Sequence, residues 1–195
     1  MKVLNVPYLS QLDNKNKPYS TCNVTSVAMC LKYRGVVGDD SKPQLEDQIF
    51  QRAQDIGANI HAPEGIKRIV ESYDRTDVLK IDGTLADVKS SIDKDAPVII
   101  HGFFTGPGHI IVIKGYSEDE EVFFVHDPYG EWHPWWYDLN TPNEKKGENL
   151  RYSYRAIASC CAAWHYEEAQ NLYDNPNFNP SAAKGMWVHS IMPKV

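Results

Sequence analysis

The sequence predicts an α+β fold, with amphipathic helices first and an antiparallel sheet after them. Apolar residues recur at helical spacing as far as about Ile92. From Pro97 onward they gather into short runs rich in Val, Ile and Phe, divided by turn residues. One polar tetrapeptide, Ser117-Glu118-Asp119-Glu120, joins two such runs directly, as antiparallel neighbours allow.

Each element has its own local signal. Met1–Tyr8 reads as a short strand ending near Pro7. In the first helix Val24, Val27, Ala28 and Leu31 share helical spacing, Cys22 lies on the first turn and Gly35 is placed to stop it. A second helix is expected from Pro43, a good first helical residue, to Ile56, with Gly57 ending it. A third spans Pro63–Tyr73, with Ile66, Ile69, Val70 and Tyr73 as its stripe. Thr84 and Asp87 have the spacing of a capping box and open a short helix through Ile92. Strands are expected at Pro97–Phe104, Ile110–Tyr116, Val122–His126 and Trp187–Ile191. Asn140–Asn149 reads as a polar loop, Arg151–Trp164 as helix or strand, and Asn171–Gly185 as a surface excursion. No repeat or boundary divides the chain, so residues 1–195 are read as one domain.

Composition narrows the function. With 42% hydrophobic and 24% charged residues the chain can build a core, and no apolar run reaches membrane-spanning length. A net charge of −6 without a basic stripe disfavours nucleic acid as a partner. The amino terminus carries no apolar signal segment, so synthesis in the cytoplasm without an export signal is expected. Four cysteines, two of them adjacent at Cys160 and Cys161, are too few for a disulfide scaffold and fit free thiols.

Cys22 carries the chemistry. A thiol on the first turn of a helix meets unpaired N–H groups and the positive end of the helix dipole, which stabilise a thiolate. Downstream, His109 heads one apolar strand and Asp127 comes directly after another. If these strands pair through an odd-length turn centred near Glu118, residues whose numbers sum to 236 face each other, and His109 lies directly across from Asp127. Cβ atoms of such a pair lie about 4.5–5.5 Å apart, close enough for the carboxylate to orient the imidazole. An even-length turn would set His109 opposite Pro128 instead. Gln11, eleven positions before Cys22, offers a side-chain amide as an oxyanion donor beside the Cys22 N–H. Nucleophile, base, orienter and oxyanion donor together predict a cysteine hydrolase.

These segments resemble a known family. Val6-Pro7-Tyr8-Leu9-Ser10-Gln11-Leu12-Asp13-Asn14 followed by Thr21-Cys22-Asn23-Val24-Thr25-Ser26 is similar to the papain-like cysteine peptidases related to double-glycine bacteriocin leader peptidases. Gly108-His109-Ile110-Ile111-Val112 and His126-Asp127-Pro128-Tyr129-Gly130 resemble that group's histidine and aspartate motifs. The resemblance covers roughly Val3–Gly130 and implies a papain-like fold, with the nucleophile at a helix N-terminus packed on an antiparallel sheet carrying His and Asp. It implies the roles of nucleophile for Cys22, base for His109, orienter for Asp127 and oxyanion glutamine for Gln11, with no cofactor and no metal. Many members have Gly-Pro after the cysteine; Asn23-Val24 here resembles stand-alone phage and bacterial variants. That implies a peptide or peptidoglycan substrate, endolysin-like, with action at the cell wall after release or delivery.

Three classes compete: a thiol peptidase for small-residue peptide bonds, a transglutaminase-like acyltransferase or deamidase with the same triad, and an inactive peptide-binding module. His101 and His126 lie near the expected site, and strand alternation turns His126 away from Asp127. Trp132, Trp135, Trp136 and Tyr137 read either as a cleft wall or as a satellite hydrophobic cluster. Cys160-Cys161 with His165 lacks a fourth zinc ligand, and Asp39-Asp40 reads as a solvated turn rather than a calcium site.

Overall fold

The computed structural model describes residues 1–138 and 145–194. The first half holds strand β1 (Lys2–Val3), helices α1 (Cys22–Tyr33), α2 (Leu45–Asp55) and α3 (Pro63–Glu71), strand β2 (Thr76–Gly83) and helix α4 (Leu85–Asp93). Next come strands β3 (Val98–Gly102), β4 (His109–Ser117), β5 (Val122–His126), β6 (Trp132–His133), β7 (Trp136–Tyr137) and β8 (Leu150–Ser153). Helices α5 (Tyr154–Ala162) and α6 (Tyr166–Asp174) and strand β9 (Met186–Met192) close the chain. The main sheet runs β2-β9-β3-β4-β5-β8, antiparallel throughout, with β1 added beside β4; β6 and β7 form a separate pair. The α+β architecture is thus as the sequence predicts.

Helix α1 is buried from Asn23 through Leu31, on every side and not only on its apolar stripe. It lies against β4 and is flanked by α2 and α3. Its polar side chains survive burial because each finds a partner. Thr25 Oγ1 accepts from Asn14 at 2.9 Å, and Ser26 Oγ donates to the Ile110 carbonyl at 3.2 Å. Helix α4 begins with the expected capping box, in which the Thr84 and Asp87 side chains each accept from the other's backbone N–H.

Several elements differ from the sequence expectation. Helix α2 starts at Leu45 with Gln44 as its N-cap, so Pro43 precedes the helix and is not its first residue. Strand β2 has no clear alternation, because it is an edge strand that leaves Val78 and Ile81 exposed. Arg151–Trp164 is strand and helix in succession, β8 then α5. Part of the expected excursion at Asn171–Gly185 belongs to α6. Arg155 ties down the end of that helix and the segment after it through the carbonyls of Tyr173, Asn175 and Phe178. The expected loop Asn140–Asn149 falls partly outside the described residues.

The β4–β5 register is the correction that bears most on function. Ser117 pairs with Val122 and Tyr116 with Phe123, a sum of 239 set by a four-residue turn. Between Ile113 and Gly115 the ladder slips, so Lys114 bulges and the sum becomes 238, with Val112 opposite His126. The predicted sum of 236 is therefore wrong, and His109 does not sit directly across from Asp127. A regular ladder from this turn would set Val112 opposite Asp127 and turn His109 to the other face. The bulge restores the parity, leaving His109 and Asp127 on one face, as diagonal neighbours within side-chain reach.

Candidate active site

The approach to Cys22 is held by polar contacts from three segments. Asn14 Nδ2 donates to Thr21 Oγ1 and Thr25 Oγ1, both at 2.9 Å, while Asn14 Oδ1 accepts from Gln44 at 2.9 Å. Thr21 does not use its side chain as a cap; its hydroxyl donates to the Lys17 carbonyl at 3.0 Å. Thr21 therefore caps none of the first-turn N–H groups, and Cys22 is the first residue of the helix. Asn23 Oδ1 takes the Val24 N–H at 2.8 Å.

His109 Nε2 meets Asp127 Oδ1 at 2.7 Å, which leaves Nδ1 for Cys22, whose thiol lies within hydrogen-bonding reach. Burial would lower the histidine's pKa, but the Asp127 charge, its hydrogen bond and Cys22 outweigh that and raise it to about 10. Asp127 is fully buried and accepts three more hydrogen bonds. Tyr129 N–H reaches Oδ1 at 3.0 Å, and the hydroxyls of Tyr137 and Tyr152 reach Oδ2 at 2.8 and 2.9 Å. Burial, then the Asp127 charge, pushes both tyrosines well above the ordinary phenol range, so they remain donors. The backbone is fixed as well: Asp127 N–H donates to the Gly147 carbonyl at 2.9 Å. A Cβ on Gly147 would fall 1.7 Å from the Asp127 carbonyl oxygen, so only glycine fits there.

Tyr137, Tyr152 and Gly147 are the residues that sequence reasoning missed. Tyr137 lies in the segment read as either cleft wall or hydrophobic cluster, and the structure favours the cluster. Trp132 is buried against Phe104 and Tyr152, its indole N–H donates to the Phe104 carbonyl at 3.0 Å, and its backbone N–H donates to the Tyr152 hydroxyl at 2.9 Å. The β6–β7 pair thus supports the carboxylate from behind.

Gln11 opens a short 3-10 turn and is buried. Its backbone N–H donates to the Pro128 carbonyl at 2.8 Å, tying it to the residue after Asp127. Its side-chain amide donates one proton to the Pro18 carbonyl at 2.8 Å, and Oε1 is sealed without a partner among the described residues. His126 lies on the face away from Asp127. Its Nδ1 accepts from Asn149 N–H at 3.1 Å and its Nε2–H donates to the Val6 carbonyl at 2.9 Å. Burial lowers its pKa to about 4, keeping it neutral. Cys160 and Cys161 are buried in α5, whereas His165 caps α6 through the Glu168 N–H at 3.2 Å.

A cleft of about 300 Å³ opens beside Cys22 and His109. Gly102, Gly108, Asn23 and His61 form parts of its wall, together with His101 from β3. Phe103, Trp164 and Trp187 line it as well, whereas the Trp132–Tyr137 segment does not; Trp164 is 74% exposed.

A thiol on a helix N-terminus, facing an imidazole and a carboxylate carried on an antiparallel sheet, defines the papain-like arrangement. The sequence matches the Peptidase_C39-like family over residues 3–161, and the chain belongs to that family. The fold also matches, over the full length of both chains, a crystal structure described as that of a candidate C39-like peptidase from Bacillus anthracis. The TM-score is 0.56 and the identity 16%, so this likeness bears on the fold. No curated protein matches the sequence significantly.

Proposed function

We propose that the chain is a cysteine peptidase acting through a thioacyl-enzyme on small-residue peptide bonds, with cell-wall peptidoglycan as the substrate class. The observation that carries this reading is the line from the Cys22 thiol through His109 to the buried, four-bonded Asp127. The Cys22 proton rests on His109 Nδ1 as an imidazolium, and the thiolate Sγ attacks the scissile carbonyl carbon. The developing oxyanion lies by the Cys22 N–H and the second amide proton of Gln11. As the C–N bond breaks, His109 returns the proton to the leaving amine. Water then hydrolyses the thioester, with His109 as base. Gly108 in the cleft wall, where an added Cβ would meet nothing nearer than the Gly102 carbonyl oxygen at 3.8 Å, fits a substrate whose backbone must approach closely. The exposed faces of Trp164 and Trp187 offer stacking surfaces for a sugar-bearing peptide. The endolysin-like reading draws on the resemblance to stand-alone relatives.

The test is to map alkylation by iodoacetamide near neutral pH, then digest peptidoglycan and weigh the fragments with and without an added amine. Cys22 is expected to react first, because Cys30, Cys160 and Cys161 are buried and burial raises their thiol pKa values. Another cysteine reacting first would remove Cys22 as nucleophile. Amine incorporation in place of hydrolysis would move the protein to acyl transfer.

The raised pKa of His109 sets the pH profile. Because the folded value lies near 10, the imidazolium persists through neutral pH and is lost only as the pH rises past that value. The falling limb of kcat/KM is therefore expected near pH 10. A falling limb near the ordinary histidine value of about 6.5 would show that Asp127 does not hold the charge.

A further inference from the structure

The segment that leads to Gln11 has no ladder of its own. Residues 4–10 belong to no helix or strand, so other contacts must fix where their backbone runs. Three links join this strap to the segment that carries the triad carboxylate, in step along both chains. His126 Nε2 bonds the Val6 carbonyl at 2.9 Å, the Tyr8 hydroxyl donates to the Asp127 carbonyl at 3.2 Å, and Gln11 N–H donates to the Pro128 carbonyl at 2.8 Å. The proposed reaction uses Gln11 and Asp127 and gives His126 no part.

The two ring nitrogens of His126 have partners that admit one arrangement. A carbonyl can only accept and a backbone N–H can only donate. Nε2 therefore carries the proton toward Val6, and Nδ1 takes the Asn149 N–H at 3.1 Å. A ring turned over about its Cβ–Cγ bond would present carbon to both. The ring is buried, with the Tyr8 ring edge-on at 5.4 Å between centroids, and it lies outside the lining of the substrate cleft. One nitrogen thus sets the strap that leads to Gln11. The other reaches Asn149, in the segment whose Gly147 carbonyl holds the Asp127 N–H at 2.9 Å.

We propose that His126 is a positioning residue for the oxyanion site: its Nε2–H holds the Val6 carbonyl and so keeps the Gln11 amide in register with Cys22, His109 and Asp127. This role rests on those proposed for Cys22 and Gln11. The arm to Asn149 is the rival route, by which the same ring would act through Asp127.

Two substitutions separate the routes, since each keeps one arm. His126→Gln retains an amide donor for Val6, and His126→Asn retains an acceptor oxygen for the Asn149 N–H. Two small probes then distinguish the oxyanion from the thiolate. p-Nitrophenyl acetate acylates Cys22 through a tetrahedral oxyanion, as the C–S bond forms and the C–O bond to p-nitrophenolate breaks. Iodoacetamide loses iodide from a saturated carbon with no oxyanion, so it reads the Cys22–His109 pair alone. In His126→Asn, acylation should slow by about fivefold, the worth of one ordinary hydrogen bond, with alkylation unchanged. His126→Gln should acylate near the wild-type rate. In Gln11→Ala, itself slow to acylate, adding His126→Asn should change nothing further. Hydrogen exchange at the Gln11 N–H should quicken in His126→Asn while the amides of α3 keep their protection, which a general loss of stability would not allow.

A His126→Gln protein as slow as His126→Asn, or slow with both probes while His126→Asn is spared, would assign the ring to Asp127 or to plain packing and overturn the proposal. An additive effect of His126→Asn on Gln11→Ala would do the same and leave Gln11 as the oxyanion donor. Wild-type acylation in Gln11→Ala would remove Gln11 from the oxyanion site, and the role of His126 with it, while Cys22 stayed the nucleophile. A wild-type Cys22 inert to both probes would remove the peptidase reading and the positioning role together.

Discussion

Cys22→Ala is expected to reduce turnover by about 10⁴–10⁶-fold while leaving the protein folded. The thiol is half-buried at a helix end, and its loss should cost about 1 kcal/mol or less of stability. His109→Ala should be equally inactive, but it differs in stability. The imidazole is buried and is one of the four donors to Asp127, so removing it strands a buried carboxylate. A cost of about 3 kcal/mol is expected, the order seen when a buried pair loses one partner. Steady-state kinetics with thermal unfolding separates the two. Near-full activity in Cys22→Ala on a verified substrate would place the nucleophile elsewhere.

Asp127→Asn should lose about 10²–10⁴-fold in rate and about 2–3 kcal/mol in stability, more than an isolated histidine–carboxylate pair would suggest. The reason is the donor count. One carboxylate oxygen faces His109 and the Tyr129 N–H, and the other faces two tyrosine hydroxyls. An amide NH₂ in either place opposes a donor. Tyr152 cannot simply reverse its hydroxyl, since that oxygen already accepts from Trp132 N–H. On the oxyanion role proposed for it, Gln11→Ala should behave differently, lowering kcat by about 10²–10³-fold with KM unchanged, because such a donor acts on the transition state. A rise in KM alone would make Gln11 a substrate-positioning residue, and a wild-type rate in Asp127→Asn would remove Asp127 from the reaction.

Much of this site was legible because it depends on local signals. The start of α1 at Cys22, the Thr84 capping box and the strand flanks of His109 and Asp127 are written in short windows of sequence. The register between β4 and β5 was not, because a bulge depends on how Lys114 and Gly115 meet β1. There Leu4 N–H donates to the Lys114 carbonyl at 2.7 Å, and Gly115 admits the Lys2 backbone where a Cβ would clash. The contacts of Tyr137 and Tyr152 with Asp127 also left no trace. Their hydroxyls converge on Asp127 from two distant segments, and neither spacing nor composition distinguishes them from the other tyrosines. The same holds for the bonds of His126 to Val6 and Asn149, which join segments that only the fold brings together.

The bulge also divides the β4–β5 hairpin into parts that respond differently to insertion and deletion. Losing Lys114 itself would convert the slipped ladder into a regular one and leave Ile113 opposite Val125, with His109 and Asp127 still on one face. A residue gained or lost within 109–113 or 125–127 has no such escape. It would carry the imidazole and the carboxylate to opposite sides of the sheet, whatever the new residue is. Length variation between related chains should therefore gather at the turn and the bulge, and stop short of both segments.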